Sequence, residues 1–234
     1  MEKFLPQIKQ IKLKLRKAKS VDQDLKVFGA SSHKYLVSPP LNRSEIEAFE
    51  SKYNISLPES FKIFLLNIGN GGISFANSAA GPFYGIYPLG HKVNISYNVN
   101  DDPKESLTRP VLIHPQITNQ EWEALIEQNN SNQGKIYSGI LPIGTQGCTY
   151  IHGLILNGTH RGKVVNLDID LQMPIFTFED NFLDWYERWL DEILTGELLK
   201  DDPTWFGYNE RKANPIILDE KEENIDNQIR NKRR

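Results

Sequence analysis

LNRSEIEAFESKYNISLPESFKIFLLNIGNGG, residues 41–72, reads as two helices joined by a Leu-Pro step and closed by glycines. Asn42 carries the side chain to cap the first helix, and Glu45, three positions on, completes a reciprocal capping box. Pro58 suits the first turn of the second helix, where its missing N–H is not needed. Phe61, Phe64, Leu65 and Ile68 then recur at i, i+3, i+4 and i+7 and form one apolar face. Gly69 ends that helix, and the Gly71-Gly72 pair permits a sharp turn. After a short polar break, GPFYGIYPLG (81–90) supplies a strand at about 84–89. Nothing in this unit is arranged for chemistry; it is a scaffold.

Working outward, four more strands are expected near 139–143, 148–156, 162–168 and 173–178. A closing helix over 179–194 follows, with Phe182, Trp185, Tyr186, Trp189 and Ile193 on one heavy aromatic face. Trp205 and Phe206 are expected to close over an edge of that core. The fold class is therefore α+β: one domain, an antiparallel or mixed sheet, and helices packed mainly on one face. Residues 91–135 form an insert, polar and broken by Pro103, Pro110 and Pro115, with a short helix capped by Thr118 and Glu121. Residues 1–40 are a basic helix and irregular connector, 41–208 the domain, and 209–234 a charged tail whose default is disorder.

The order of these landmarks resembles the SUKH superfamily, which includes fungal cell-wall assembly regulators of the Smi/Knr type and many bacterial immunity proteins. The residues that carry the likeness are the 41–72 unit, Gly139-Ile-Leu-Pro-Ile-Gly144, Gly147, Gly153 to Gly158, Gly162-Lys-Val-Val165 and the closing helix. The resemblance spans roughly Leu41 to Leu194 outside the insert. It implies a non-catalytic binding module that neutralises a bacterial toxin, first of all a nuclease. Its alternative implication is a regulatory scaffold for an endogenous cell-wall or signalling partner.

Composition sets further bounds. The 234 residues have a mean hydropathy of −0.48, and no apolar run approaches the roughly 18 residues of a membrane span. The first residues lack a secretory h-region, and the single cysteine, Cys148, suits a reducing compartment, so a cytoplasmic location is expected. Charge is uneven. Residues 1–19 carry seven Lys/Arg against Glu2, a net of +6, and residues 209–234 carry seven against six, a net of +1. The 23 acidic and 13 basic groups of residues 20–208 leave a net of −10. Such a body repels nucleic acid and steers a basic protein toward itself, although solubility alone also explains it.

The N-terminal stripe Leu5, Ile8, Ile11 and Leu15 either lies on an anionic membrane surface or docks on the domain with its lysines in water. Docking is favoured because the stripe is narrow. Cys148, His152 and His160 match no zinc-site spacing, and Cys148 fits a buried strand position. Asp168 and Asp170 read as a solvated pair. Neither a cofactor nor a metal site is expected, no catalytic residue stands out, and the chain is expected to be monomeric. For partner binding, two constellations stand out. Asp180, Asp184, Glu187 and Asp191 form an acidic stripe at i, i+4, i+7 and i+11 on the closing helix, away from its tryptophans. Tyr97, Asp101, Asp102 and Glu105 combine an aromatic anchor with acids inside the insert. Each has a plain alternative, a solvated helix back and a flexible loop.

Overall fold

The computed structural model describes residues 2–72, 80–91, 102–200 and 206–219. In chain order its helices and strands begin with α1 (Leu5–Val21), α2 (Ala30–His33), α3 (Arg43–Tyr53), α4 (Glu59–Asn67) and β1 (Gly85–Ile86). The insert supplies α5 (Pro103–Thr108), α6 (Asn119–Gln128) and α7 (Gln133–Ile136). β2 (Ile140–Gly147), β3 (Tyr150–Ile155), β4 (Val164–Asp168), β5 (Ile175–Phe176) and α8 (Phe182–Leu194) complete the chain order. The five strands form an antiparallel meander in the order β1-β2-β3-β4-β5, and the fold is α+β.

The deciding stretch folds as its residues dictate. Asn42 accepts the Glu45 N–H at 3.0 Å, and the Glu45 carboxylate accepts the Asn42 N–H at 2.8 Å, which closes the capping box on α3. Phe61, Phe64, Leu65 and Ile68 of α4 are all buried in the main core. Beyond α4, Gly71 has a φ of +60°, and a Cβ there would meet the Ile86 carbonyl oxygen at 2.4 Å. Only glycine lets the helical unit lie this close to β1. A Cβ on Gly144 would likewise meet the Gly85 carbonyl oxygen at 2.8 Å, so the Leu-Pro-Ile-Gly step of β2 needs its glycine to pair with β1.

Alternation along the strands sorts two cores. Leu141, Ile143, Leu154 and Val164 face the main core with α1, α4 and α8, whereas Ile140, Ile155, Val165 and Leu167 face Trp122 of the insert and Ile136 and Tyr137 just after it. The larger helical layer is on one face, and the insert adds a thinner layer on the other. The insert is tied down as well: Asn157, just after β3, accepts the Val111 N–H and donates to the Arg109 carbonyl, both at 2.9 Å. On the main face the aromatic side of α8 is deeply buried, with Phe182 stacked edge-on against Phe61 and Phe64 at 4.8 and 4.9 Å. Phe206 closes against Trp185 at 5.8 Å, while Trp205 lies outside the described residues.

Residues 20–40, expected to be an irregular connector, are packed into the same core. Asp22 is buried and accepts from the Lys26 N–H, the Val27 N–H and the Tyr35 hydroxyl, the last at 2.6 Å. That network fixes α2 so that His33 meets the Trp189 ring at 5.4 Å. Burial lowers the His33 pKa to about 4, against the opposing pull of Asp22. Cys148 is another departure: it is exposed in the β2–β3 turn with a φ of +49°, not buried in a strand, because β3 begins only at Tyr150.

Candidate partner-binding surfaces

α8 starts at Asn181, whose side-chain oxygen accepts the N–H groups of Leu183 and Asp184 at 3.0 and 3.2 Å. Just before it, Lys163, the residue preceding β4, donates to the carbonyls of Phe178 and Glu179 and to Asp180 at 2.9, 2.8 and 3.0 Å. This staple sets the angle at which α8 enters. Asp184, Glu187 and Asp191 of α8 share one side of the helix, the side that meets α1.

That side is not open to solvent. α1 lies across it, and Lys14, fully buried, places its ammonium 2.6 Å from Glu187 and 2.7 Å from Asp191. Gln7 donates to Asp184 at 2.7 Å and to Glu187 at 2.9 Å. Arg211, from the segment after α8, also pairs with Asp191. The expected outward position of Glu187 and Asp191 is therefore corrected: both are buried, because a basic amphipathic helix and a C-terminal arginine neutralise them. Asp184 is half-buried against Gln7. Of the four, Asp180 alone stands out in water, with its side chain 96 % exposed. The docking of α1 agrees with expectation for Ile8 and Ile11, but Lys14 is sequestered where lysines were expected in water.

The C-terminal segment completes the cover. Gln10 donates to the Leu218 carbonyl at 3.0 Å and accepts the Leu218 N–H at 2.8 Å, a reciprocal pair that fastens residues near 218 to α1. Residues 209–219 thus touch the domain through Asn209, Arg211 and Leu218, and 220–234 lie outside the described residues.

In the insert, Asp102 caps α5 by accepting the Lys104 N–H at 3.0 Å, and Glu105 pairs with Arg109 one turn on. Both acids are exposed, whereas Tyr97 and Asp101 lie outside the described residues.

The far end of the sheet holds a feature that the strand pattern flagged only in part. Asp168 is 2 % exposed, not a solvated member of an acidic pair; Asp170 is exposed in the following turn. One carboxylate oxygen of Asp168, Oδ1, accepts the Asp170 N–H at 3.0 Å, and the other, Oδ2, is shielded with no hydrogen-bond partner among the described residues. Asp168 lines a half-open cavity of about 330 Å³ with Tyr150, Asn166, Met173, Ile175 and Tyr208. Behind it, Gln146 bonds to Asn166 and reaches the Tyr208 hydroxyl at 3.2 Å and His152 at 3.3 Å. Burial alone holds His152 neutral, with a pKa lowered to about 3, and burial raises the Tyr208 hydroxyl to about 12 against the lowering effect of its Gln146 bond. From the opposite face the insert braces the same turn, since Trp122 donates to the Leu171 carbonyl at 3.0 Å and Tyr137 to the Asp168 carbonyl at 2.7 Å. Tyr150, Met173, Ile175 and Tyr208 were not singled out from sequence, because strand residues and a tail tyrosine carry no motif; the Asp168–Asp170 alternation was the available clue.

Among the described residues, no group of three or more His, Cys, Asp or Glu is placed to hold a metal ion, and no helix is long and apolar enough to cross a membrane. A rigid α+β scaffold with acidic surface groups and a walled cavity is thus the class of protein that the geometry defines. The model of the SMI1 / KNR4 family (SUKH-1) matches residues 40–188, well over half of the 234-residue chain, and the chain belongs to that family. The family covers toxin immunity proteins and Smi1/Knr4-like members, generally non-catalytic. No curated protein and no solved structure matches the chain.

Proposed function

We propose that this protein is an immunity protein: it binds a bacterial polymorphic or contact-delivered toxin, first of all a nuclease, and neutralises it stoichiometrically by covering its substrate-binding surface. Membership of the SMI1 / KNR4 family is the observation that carries this reading. With the docked residues 1–19 (+6) added to residues 20–208 (−10), the body keeps a net charge of −4, which favours a basic toxin over nucleic acid. In this reading the protein acts in the cytoplasm as a monomer, without turnover. Exposed Asp180, Asp102 and Glu105 are accessible to a basic partner, and Tyr97 and Asp101 are proposed to extend the insert's contact. Glu187 and Asp191, neutralised by Lys14 and Arg211 inside the protein, instead hold α1 in place.

Co-expression with candidate toxins tests the reading. Rescue of growth from one cognate toxin, with a stable one-to-one complex on gel filtration, is the expected result. Absence of rescue by any toxin encoded beside this chain, together with co-purification of a cell-wall or signalling protein, would move the assignment to a regulatory scaffold.

A further inference from the structure

We propose that the cavity beside β4 and β5 is a receptor for a guanidinium group, the side chain of an arginine presented by a partner protein. Four observations converge on it. The cavity of about 330 Å³ is at the small end of the range for ligand sites, large enough for one long side chain. Asp168, 2 % exposed, lines it and keeps a carboxylate oxygen with no donor among the described residues. A shielded, unpaired carboxylate oxygen is costly, and a donor entering through the cavity would complete it. The wall chemistry then selects the donor. The rings of Tyr150 and Tyr208 suit the flat face of a guanidinium, and the half-exposed Met173 and Ile175 suit its methylene stem.

The site is also built in advance. Gln146 holds Asn166 and Tyr208 from behind, and Trp122 and Tyr137 grip the Asp168–Leu171 turn from the insert side. Rigid walls reduce the ordering cost of binding. An anion is disfavoured by Asp168 itself and by the negative body around it. A lysine offers charge without the planar fork that two aromatic rings favour.

The source of the arginine rests on the protein-binding reading above, but the receptor can be tested without it. The full chain, labelled with nitrogen-15, is titrated with N-acetyl-arginine amide and, in parallel, with the citrulline and lysine analogues. Saturable shifts confined to residues near 150, 166–175 and 208 are expected for arginine, with citrulline and lysine each about tenfold weaker or more. Asp168→Asn should abolish the arginine response. Ile175→Lys, at an exposed position that leaves folding intact, should do the same by placing a like charge at the mouth. Equal binding of citrulline or lysine, shifts spread without saturation over the acidic surface, or an unchanged response in Asp168→Asn would each overturn the proposal. A chain that rescues from a toxin yet ignores arginine loses only this site; one that takes arginine yet rescues from nothing loses only the toxin reading.

Discussion

The acidic side of α8 and the cavity at the end of β4 both bury carboxylates, yet they resolve the cost in opposite ways. Around α8 each buried acid has a cation: Glu187 and Asp191 share Lys14, Asp191 adds Arg211, and Glu179, just before the helix, meets Arg188 at 2.8 Å while keeping its Oε2 without a hydrogen bond among the described residues. At the cavity, Asp168 has one oxygen satisfied by a backbone N–H and the other left over. Taking charges out of water is costly unless counter-charges are supplied, so a cluster in which every acid has a cation is a structural clasp. A buried carboxylate with no cation among the described residues, at the wall of a cavity, leaves a place for a donor from outside. The comparison moves attention from the helix that the sequence made conspicuous to a strand end that it did not.

Four measurements would break or sharpen this contrast. Lys14→Met should be the most damaging change, since it strands two buried acids, and urea unfolding is expected to lose about 3–5 kcal/mol. Adding Glu187→Gln and Asp191→Asn should restore part of that loss; no restoration would mean that α1 is held by its apolar stripe alone. Next is acid sensitivity. His33 and His152 are held neutral with lowered pKa values of about 4 and 3, whereas the unfolded chain takes up protons near pH 6.5. Stability from these two histidines is therefore complete above that pH and falls as pH drops toward the folded values. The pair should cost roughly 3 kcal/mol between pH 6.5 and 5. His152→Leu should roughly halve that slope, and an unchanged slope would reject burial of a neutral imidazole.

Trp122→Phe is smaller. It removes one hydrogen bond to the turn carrying Asp168, for about 1 kcal/mol of stability, and should weaken arginine binding more than it disturbs the α1–α8 clasp. Smallest of all is Asp168→Asn. The amide keeps the Oδ1 acceptor and removes an unsatisfied charge, so the unfolding midpoint should stay level or rise, by less than about 1 kcal/mol. A loss like that of Lys14→Met would place Asp168 in the structural class and erase the contrast.

How much was legible follows from range. Capping boxes at Asn42 and Thr118, the α4 face and the aromatic side of α8 are set by neighbours three or four residues apart, and the sequence displays them directly. Five strands in one sheet were readable from turn spacing, but not their meander order, and Cys148 was assigned to a strand because a two-residue turn is easily absorbed into its flanks. The surface was harder. Whether an acidic helix back meets water or a buried lysine depends on Lys14, 173 residues from Glu187, and helical periodicity contains nothing about that distance. The same holds for the cavity, where Tyr208 joins Tyr150 and Asp168 only through the tertiary fold.

The reciprocal bonds between the Gln10 side chain and the backbone of Leu218 have one practical consequence. That amide proton is shielded only while the first helix is seated, so its rate of deuterium uptake is an internal gauge of lifting at the chain's margin. Slow uptake in the core beside rapid uptake at Leu218 would reveal a protein whose outer cover breathes while its sheet stays shut.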